Sequence, residues 1–184
     1  MRYLIFSDIH GSYGCLEEVL KAFDLHHCDY MIILGDILYH GPRNPLPANH
    51  NPKEVAATLN KLASKIICVA GNCEAPVDQM VLEFPCLAET SIIVDEGVRM
   101  LATHGHIYNP SNLLSGFDIF LYGHTHLYEL RYMNDILICN PGSISLPKEN
   151  RPQSYAIYAD REITIYDFNH TVLTSQTLKN AHQN

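Results

Sequence analysis

Three times in its first half, the chain runs through a short apolar stretch and stops at a polar cluster built around glycine. "RYLIF" (2–6) leads into "SDIHG", "YMIIL" (30–34) stops at Gly35-Asp36, and "IICVA" (66–70) stops at Gly71-Asn72. Between these runs, "SYGCLEEVLKAF" (12–23) repeats apolar residues at Leu16, Val19, Leu20 and Phe23, and "PKEVAATLNKLASK" (52–65) opens on a proline. The first is helical spacing and the second a helix-start signal. The resulting β-α-β-α-β order requires parallel pairing, because two strands joined through a crossover helix run the same way. In parallel sheets ligands gather beyond the carboxyl ends of the strands, which is where all three polar clusters fall. The Pro- and Asn-rich stretch "YHGPRNPLPANHNP" (39–52) is long for a simple connection and is expected to serve function.

From residue 91 the texture changes. "SIIVDEG" (91–97), "VRMLATHGH" (98–106), "FDIFLYGHTH" (117–126), "YELRYM" (128–133), "ILICN" (136–140), "SYAIYA" (154–159) and "ITIYDF" (163–168) read as short β segments. Turn chemistry such as "DEG", "MND" and "NPGS" separates them. This half is expected to be mainly antiparallel, with one short helix in "NPSNLLSG" (109–116). No repeat, low-complexity tract or composition break divides the chain. Residues 1–184 are therefore expected to form a single domain, with two β layers and helices outside them.

Composition excludes several classes. With 47% hydrophobic and 17% charged residues, the chain can build a core and is not a disordered segment. Its unbroken apolar runs fall far short of the roughly 20 residues of a membrane helix. The N-terminal run is too short for a secretory signal, so a cytoplasmic protein with no membrane contact is expected. The six cysteines (Cys15, Cys28, Cys68, Cys73, Cys86 and Cys139) form no CxxC pair and read as reduced thiols. The net charge is −8, with no concentration of Lys and Arg, which argues against a dedicated nucleic-acid binder. Anionic substrates stay admissible, because bound metal ions supply local positive charge.

The chain has 11 histidines and no tryptophan. His10, His40, His104, His106, His124 and His126 sit beside Gly, Asp or Thr at the ends of apolar runs. His26, His27, His50, His170 and His182 lack such a setting and read as surface or structural. In "LYGHTHL" (121–127) two histidines flank one threonine. On a regular strand they would share a face; in a loop broken at Gly123 they can reach two different targets. The strand-end clusters together offer Asp8, His10, Asp36, Asn72, His104, His124 and His126. These oxygen and imidazole donors suit Mn²⁺, Fe²⁺ or Zn²⁺ rather than Cu(I). Two Asp and four His exceed the needs of one ion, and the natural division is two ions sharing a carboxylate.

Each fragment alone is weak, since Gly-Asp is common in turns and a lone HxH is most often surface or core. "DIHG", "GD", "GN", "THGH" and "GHTH", in that order, nevertheless resemble the calcineurin-like metallophosphoesterase superfamily. The likeness is greatest to its small bacterial phosphodiesterase branch, where "GDILYHGPRN" and "NPGSISLPK" (140–148) also match. It covers residues 1 to about 168. The resemblance implies an α/β fold, a four-layer α/β/β/α sandwich with mixed sheets. It implies a first metal on Asp8, His10 and His126, a second on Asn72, His104 and His124, and Asp36 bridging both. Two divalent ions are expected, Mn first, with Fe, Zn, Co or Ni as alternatives.

The implied activity is hydrolysis of phosphate diesters by a hydroxide held between the two ions. The two ions outweigh the charge of Asp8, Asp36 and the hydroxide, so an anionic ester can approach. Asn72 is read as orienting the phosphate as well as binding metal. Many superfamily members read GNH(D/E) where this chain reads "GNCE". That leaves Cys73, whose thiol two nearby cations would lower in pKa, with His106 and His40 as stand-ins for the missing imidazole. Arg43 in "HGPRN" is a candidate for gripping a phosphate oxygen, as is His40 for binding substrate.

The competing readings are a catalytically weak interaction scaffold of the same fold, like the retromer subunit, a phosphomonoesterase, and a nuclease. The expected partners are a small phosphate-ester substrate and further copies of the chain, as a dimer or tetramer. Tyr-rich stretches ("YELRYM", "SYAIYADREITIY") are read either as an interface or as ordinary sheet with Tyr facing solvent.

Overall fold

A computed structural model describes residues 1–179, and His182 lies outside them. Strand β1 (Tyr3–Phe6) is followed by helix α1 (Tyr13–Leu25), β2 (Tyr30–Ile33), α2 (Pro52–Asn60) and β3 (Ile66–Cys68). β1 pairs with β2 and β2 with β3, all in parallel, as the alternating pattern requires. Asn51 caps α2 by accepting the backbone N–H of Glu54, with Pro52 behind it. After a short α3 (Pro76–Gln79) come β4 (Thr90–Asp95), β5 (Val98–Thr103), β6 (Ile119–Leu121), β7 (Glu129–Met133) and β8 (Ile136–Asn140). β9 (Ser154–Ala159), β10 (Glu162–Asp167) and β11 (Val172–Thr177) complete the described chain.

Two mixed sheets result. One has six strands in the order β11-β10-β9-β1-β2-β3, the other five in the order β4-β5-β6-β8-β7. Side chains alternate along each central strand. Leu4 and Phe6 of β1, Met31 and Ile33 of β2 and Tyr155 and Ile157 of β9 pack with Leu16, Val19 and Phe23 of α1 and with Val55 and Leu59 of α2. Tyr3, Ile5, Ile32, Ala156 and Tyr158 face the other way and meet Met100, Ile119, Leu121 and Leu137 of the second sheet. The fourth layer is thin. Over the outer face of the second sheet, Tyr108, Leu113 and Phe117 cover Leu101, Phe120, Tyr122 and Ile138, and the only regular structure there is one 3₁₀ turn, Pro110–Asn112. Among the described residues no helix is long and apolar enough to cross a membrane.

The structure qualifies one expectation and corrects another. The second half is mainly antiparallel, as expected, but β5-β6 and β6-β8 pair in parallel; residues 104–118 cross the outer face between β5 and β6 and return in the same direction. β7 turns back on β8 through Asn134 and Asp135, both at positive φ, and takes the edge. β9 to β11 then leave for the first sheet, where β9 pairs antiparallel with β1. The tyrosines of "SYAIY" are neither an interface nor a solvent face. β9 is central and covered on both sides, so Tyr155 and Tyr158 are almost wholly buried, at 0% and 1% exposure. The Tyr155 hydroxyl lies between His170 Nδ1 (2.8 Å) and His26 Nε2 (3.2 Å), a structural use for two histidines without motif context. The sequence reading named neither α3 nor β11. The latter is mostly polar and exposed and is held at the edge by its backbone ladder with β10.

Ile5 is fully buried between the sheets, so Ile5→Ala is expected to cost about 3 kcal/mol through lost transfer energy and a cavity. Val172→Ala, at an exposed edge position, is expected to stay within about 0.5 kcal/mol. Urea unfolding of the two variants beside the parent checks both values.

Candidate metal centre

The polar clusters after β1, β2, β3, β5 and β6 come together at one end of the two sheets. Five of the seven candidate ligand residues are non-glycine residues in the left-handed region: Asp8 (φ 58°), His10 (φ 50°), Asp36 (φ 54°), His124 (φ 66°) and His126 (φ 63°). Such conformations cost of order 1–3 kcal/mol each and persist where surrounding structure imposes them. The bend at "GHTH" therefore lies in the histidines themselves, not in Gly123, which is not at positive φ. Gly123 is needed for clearance: a Cβ there would lie 2.1 Å from Ser7 Oγ, and one on Gly71 would lie 2.1 Å from Asp36 Oδ1.

His124 and His126 diverge from this loop. His126 Nε2 lies 3.3 Å from His10 Nε2 and 3.2 Å from Asp8 Oδ1. His124 Nδ1 lies 3.3 Å from His104 Nε2, which is itself 3.2 Å from Asn72 Oδ1. Asp36 lies between the groups, with Oδ2 3.8 Å from His10 Nε2 and 3.5 Å from His104 Nε2. Asp8, His10, Asp36, His104 and His126 are all buried.

The second nitrogen of each buried imidazole is committed to a backbone carbonyl. His10 Nδ1 lies 2.9 Å from Tyr39 O, His104 Nδ1 2.6 Å from Leu34 O, and His126 Nδ1 2.6 Å from Leu146 O. A carbonyl only accepts, so each Nδ1 carries the proton and each Nε2 presents a lone pair. The carboxylates follow the same plan. Asp8 Oδ2 accepts the His124 backbone N–H (3.1 Å), and Asp36 Oδ1 accepts that of Cys73 (3.0 Å). Asp8 Oδ1 is buried with no hydrogen-bond partner. Acceptors facing one another without a proton between them call for a cation, and this donor set fits divalent ions. Without such an ion the imidazoles themselves supply the compensating charge: burial works to raise the Asp8 carboxyl, yet His10 and His126 hold it well below the usual carboxylate range, and Asp8 raises His10 against that ring's own burial.

The remaining candidates are less uniformly placed. Cys73 lies near His10 and Asp36, but burial first and the Asp36 carboxylate second push its thiol up to about 12. His106 is exposed, with its ring 5.4 Å from that of His104, and burial then His104 lower its pKa. His124 is lowered by the same two causes. His40 packs edge-on against His50 at 5.6 Å and does not line the cavity in front of the cluster. That cavity has a volume of about 430 Å³. Asp36, Asn72, His124 and His126 line it, together with Cys73, Arg43 and its neighbours Gly41, Pro42 and Asn44, and Lys148.

Several supporting residues lie in stretches that the sequence reading singled out without assigning them a role. The Glu74 carboxylate accepts the backbone N–H groups of Asp36 (2.9 Å), Ile37 (2.7 Å) and Gly71, tying the ends of β2 and β3 together. Burial raises its pKa. The acidic residue closing "GNCE" was its only signal. Asn140, fully buried, donates to Gly123 O (2.8 Å) and Thr125 Oγ1 (3.0 Å) and so holds the histidine loop. Ser143 and Ser145 donate to Asp8 O at 2.9 and 2.8 Å. These are the residues of "NPGSIS".

Comparison with known proteins gives the same direction. The profile of the calcineurin-like phosphoesterase superfamily domain matches residues 1–161. Phosphodiesterase YfcE of Escherichia coli K12 is 41% identical over 182 residues, 98% of this chain and 99% of that one. The probable metallophosphoesterase YsnB of Bacillus subtilis is 31% identical, over 85% of this chain and 83% of its own. The solved structure of the E. coli phosphoesterase Yfce superposes with a TM-score of 0.94 at 37% identity, covering 97% of this chain and all of that one. With its ordered strand-end motifs and its crowded acceptors at the sheet ends, the chain belongs to the calcineurin-like phosphoesterase superfamily.

Proposed function

We propose that the chain is a metal-dependent phosphodiesterase acting on small phosphate esters through two divalent ions in a single domain. As a member of this superfamily with YfcE and YsnB as relatives, it is a phosphoric ester hydrolase. The observation that carries the finer reading is the facing set of unprotonated acceptors, Asp8 Oδ1 with His10 and His126 Nε2. In this reading Asp8, His10 and His126 hold one ion, and Asn72, His104 and His124 the other. Asp36 serves both, since its Oδ2 faces an imidazole of each group. The donor set favours Mn²⁺, with Fe, Zn, Co or Ni as alternatives. When bound, the two ions supply an activated water and the positive charge that a phosphoryl group in displacement requires.

The chain's own residues do the rest. The carbonyls of Tyr39, Leu34 and Leu146 fix the imidazole tautomers. Asn72, exposed at the cavity, orients the phosphate. In this reading Cys73 and His106 are the candidates to donate a hydrogen bond or a proton to the leaving oxygen. Six free thiols accord with a cytoplasmic setting. Exposed Ile92 and Val94 on edge strand β4 accord with assembly into a homo-oligomer.

Two measurements test the reading. Metal-stripped protein dialysed against Mn²⁺ is expected to take up about two ions per chain, with a Tm that climbs with metal concentration. His126→Ala is expected to keep about one of them. Uptake of a single ion by the parent overturns the dinuclear assignment. Hydrolysis of bis-p-nitrophenyl phosphate is expected only with added metal and to fall about 100-fold in Asn72→Ala. A higher kcat/KM on p-nitrophenyl phosphate than on the diester would favour the monoesterase reading. No turnover of either by folded, metal-loaded protein would leave the scaffold reading.

A further inference from the structure

The cavity before the candidate metal centre is cationic in a chain of net charge −8. The chain has 12 lysines and arginines. Among the described residues, eight of them engage a carboxylate, a carbonyl or an aromatic ring through their side chains. Arg43, Lys53, Lys61 and Lys148 engage none. Two of those four, Arg43 and Lys148, line this one cavity, and its only carboxylate is Asp36. Asp36 is already committed to the backbone N–H of Cys73 and to the imidazoles, so nothing in the cavity neutralises the two cations.

Both cations hang from segments anchored to the histidines. Lys148 N donates to His126 O (3.3 Å), two residues beyond the Leu146 carbonyl that holds His126 Nδ1. Arg43 lies four residues beyond Tyr39, whose carbonyl holds His10 Nδ1, and Asn44 Nδ2 donates back to His40 O at 2.9 Å. The two charges are thus carried at set places relative to the candidate metal centre, on two different loops. Besides the candidate ligands, the lining is Gly41, Pro42, Arg43, Asn44, Cys73 and Lys148. It contains no aromatic or large aliphatic side chain to receive an apolar alcohol.

We propose that Arg43 and Lys148 form a specificity clamp for a second phosphate, and that the substrates are diesters whose alcohol carries a phosphate monoester. The charges match, since a phosphate monoester near pH 7 carries close to two negative charges and meets two unpaired cations. Arg43 offers a planar fork and Lys148 a point charge, both suited to phosphate oxygens. The clamp deepens the phosphodiesterase reading and rests on it. It also explains how a strongly acidic chain selects a polyanionic ester.

The test uses metal-loaded protein and a matched pair of p-nitrophenyl diesters of 1,3-propanediol, one with the distal hydroxyl free and one with it phosphorylated. The phosphorylated ester is expected to show a kcat/KM at least about 10-fold higher, expressed in KM and eroded by salt. In Lys148→Ala and Arg43→Ala the loss on the phosphorylated ester is expected to exceed that on the other by roughly 10-fold. Lys148→Arg should recover part of it. Lys53→Ala and Lys61→Ala, unpaired cations away from this cavity, should leave the ratio unchanged.

Calorimetry provides a readout independent of turnover. Propane-1,3-diyl bisphosphate should bind more tightly than propyl phosphate, and Lys148→Ala should abolish the difference. Equal kcat/KM on the two esters, or equal losses on both in the variants, overturns the clamp while leaving the phosphodiesterase reading standing. Absence of metal-dependent turnover of both overturns the phosphodiesterase reading, and calorimetry then decides the clamp: equal affinities for the two phosphates sink it.

Discussion

The structure turns on lone pairs that have been deliberately left without hydrogens. At the carboxyl ends of the parallel strands, each buried imidazole gives its only proton to a backbone carbonyl. Each buried carboxylate has one oxygen occupied by a backbone N–H and the other turned toward the imidazoles. Burial makes this arrangement costly unless positive charge fills it. The sheets, the crossover helices and the loops around the site all act to hold these acceptors facing one another.

The same requirement accounts for the backbone. Five non-glycine residues are held at positive φ in the cluster, and a local preference for such conformations does not explain five of them. They are imposed from outside. Asn140 holds the Gly123–Thr125 turn, Ser143 and Ser145 grip the Asp8 carbonyl, and Glu74 gathers three N–H groups from the ends of β2 and β3. Gly71 and Gly123 serve by lacking a Cβ where a carboxylate or hydroxyl must pass. The conformational strain and the lone-pair repulsion are thus offset by a shell of polar residues that has no chemistry of its own.

Much of this was legible in the sequence. The β-α-β-α-β pattern of the first 70 residues became three parallel strands and two helices, the second helix ending at Asn60 and giving way to a 3₁₀ turn at Ala63–Lys65 where one helix over 52–65 was expected. All seven donors of the strand-end clusters came together at one end of the sheets. The supporting shell was not legible, because Asn140, Ser143 and Glu74 have the composition of ordinary turn residues and act only on distant parts of the chain. Lys148 closes the matched stretch "NPGSISLPK", but one lysine after a proline carries no sign of the cavity it lines.

What the sequence determined by itself was the local alternation: which runs are strands, which are helices, and that each strand ends in metal-type donors. Backbone periodicity and side-chain chemistry suffice for that. Only the tertiary structure decided where the second half goes. Short β segments carry no mark of which sheet they join or in which direction. Their pairing followed from burial of Tyr155 and Tyr158 beside β1 and of Phe120 beneath the 105–117 loop. It likewise decided that the bend at "GHTH" lies in the histidines and that Arg43 and Lys148 share one cavity. Those facts depend on contacts between residues as far as 137 positions apart, as between Asp8 and Ser145, and no local pattern encodes them.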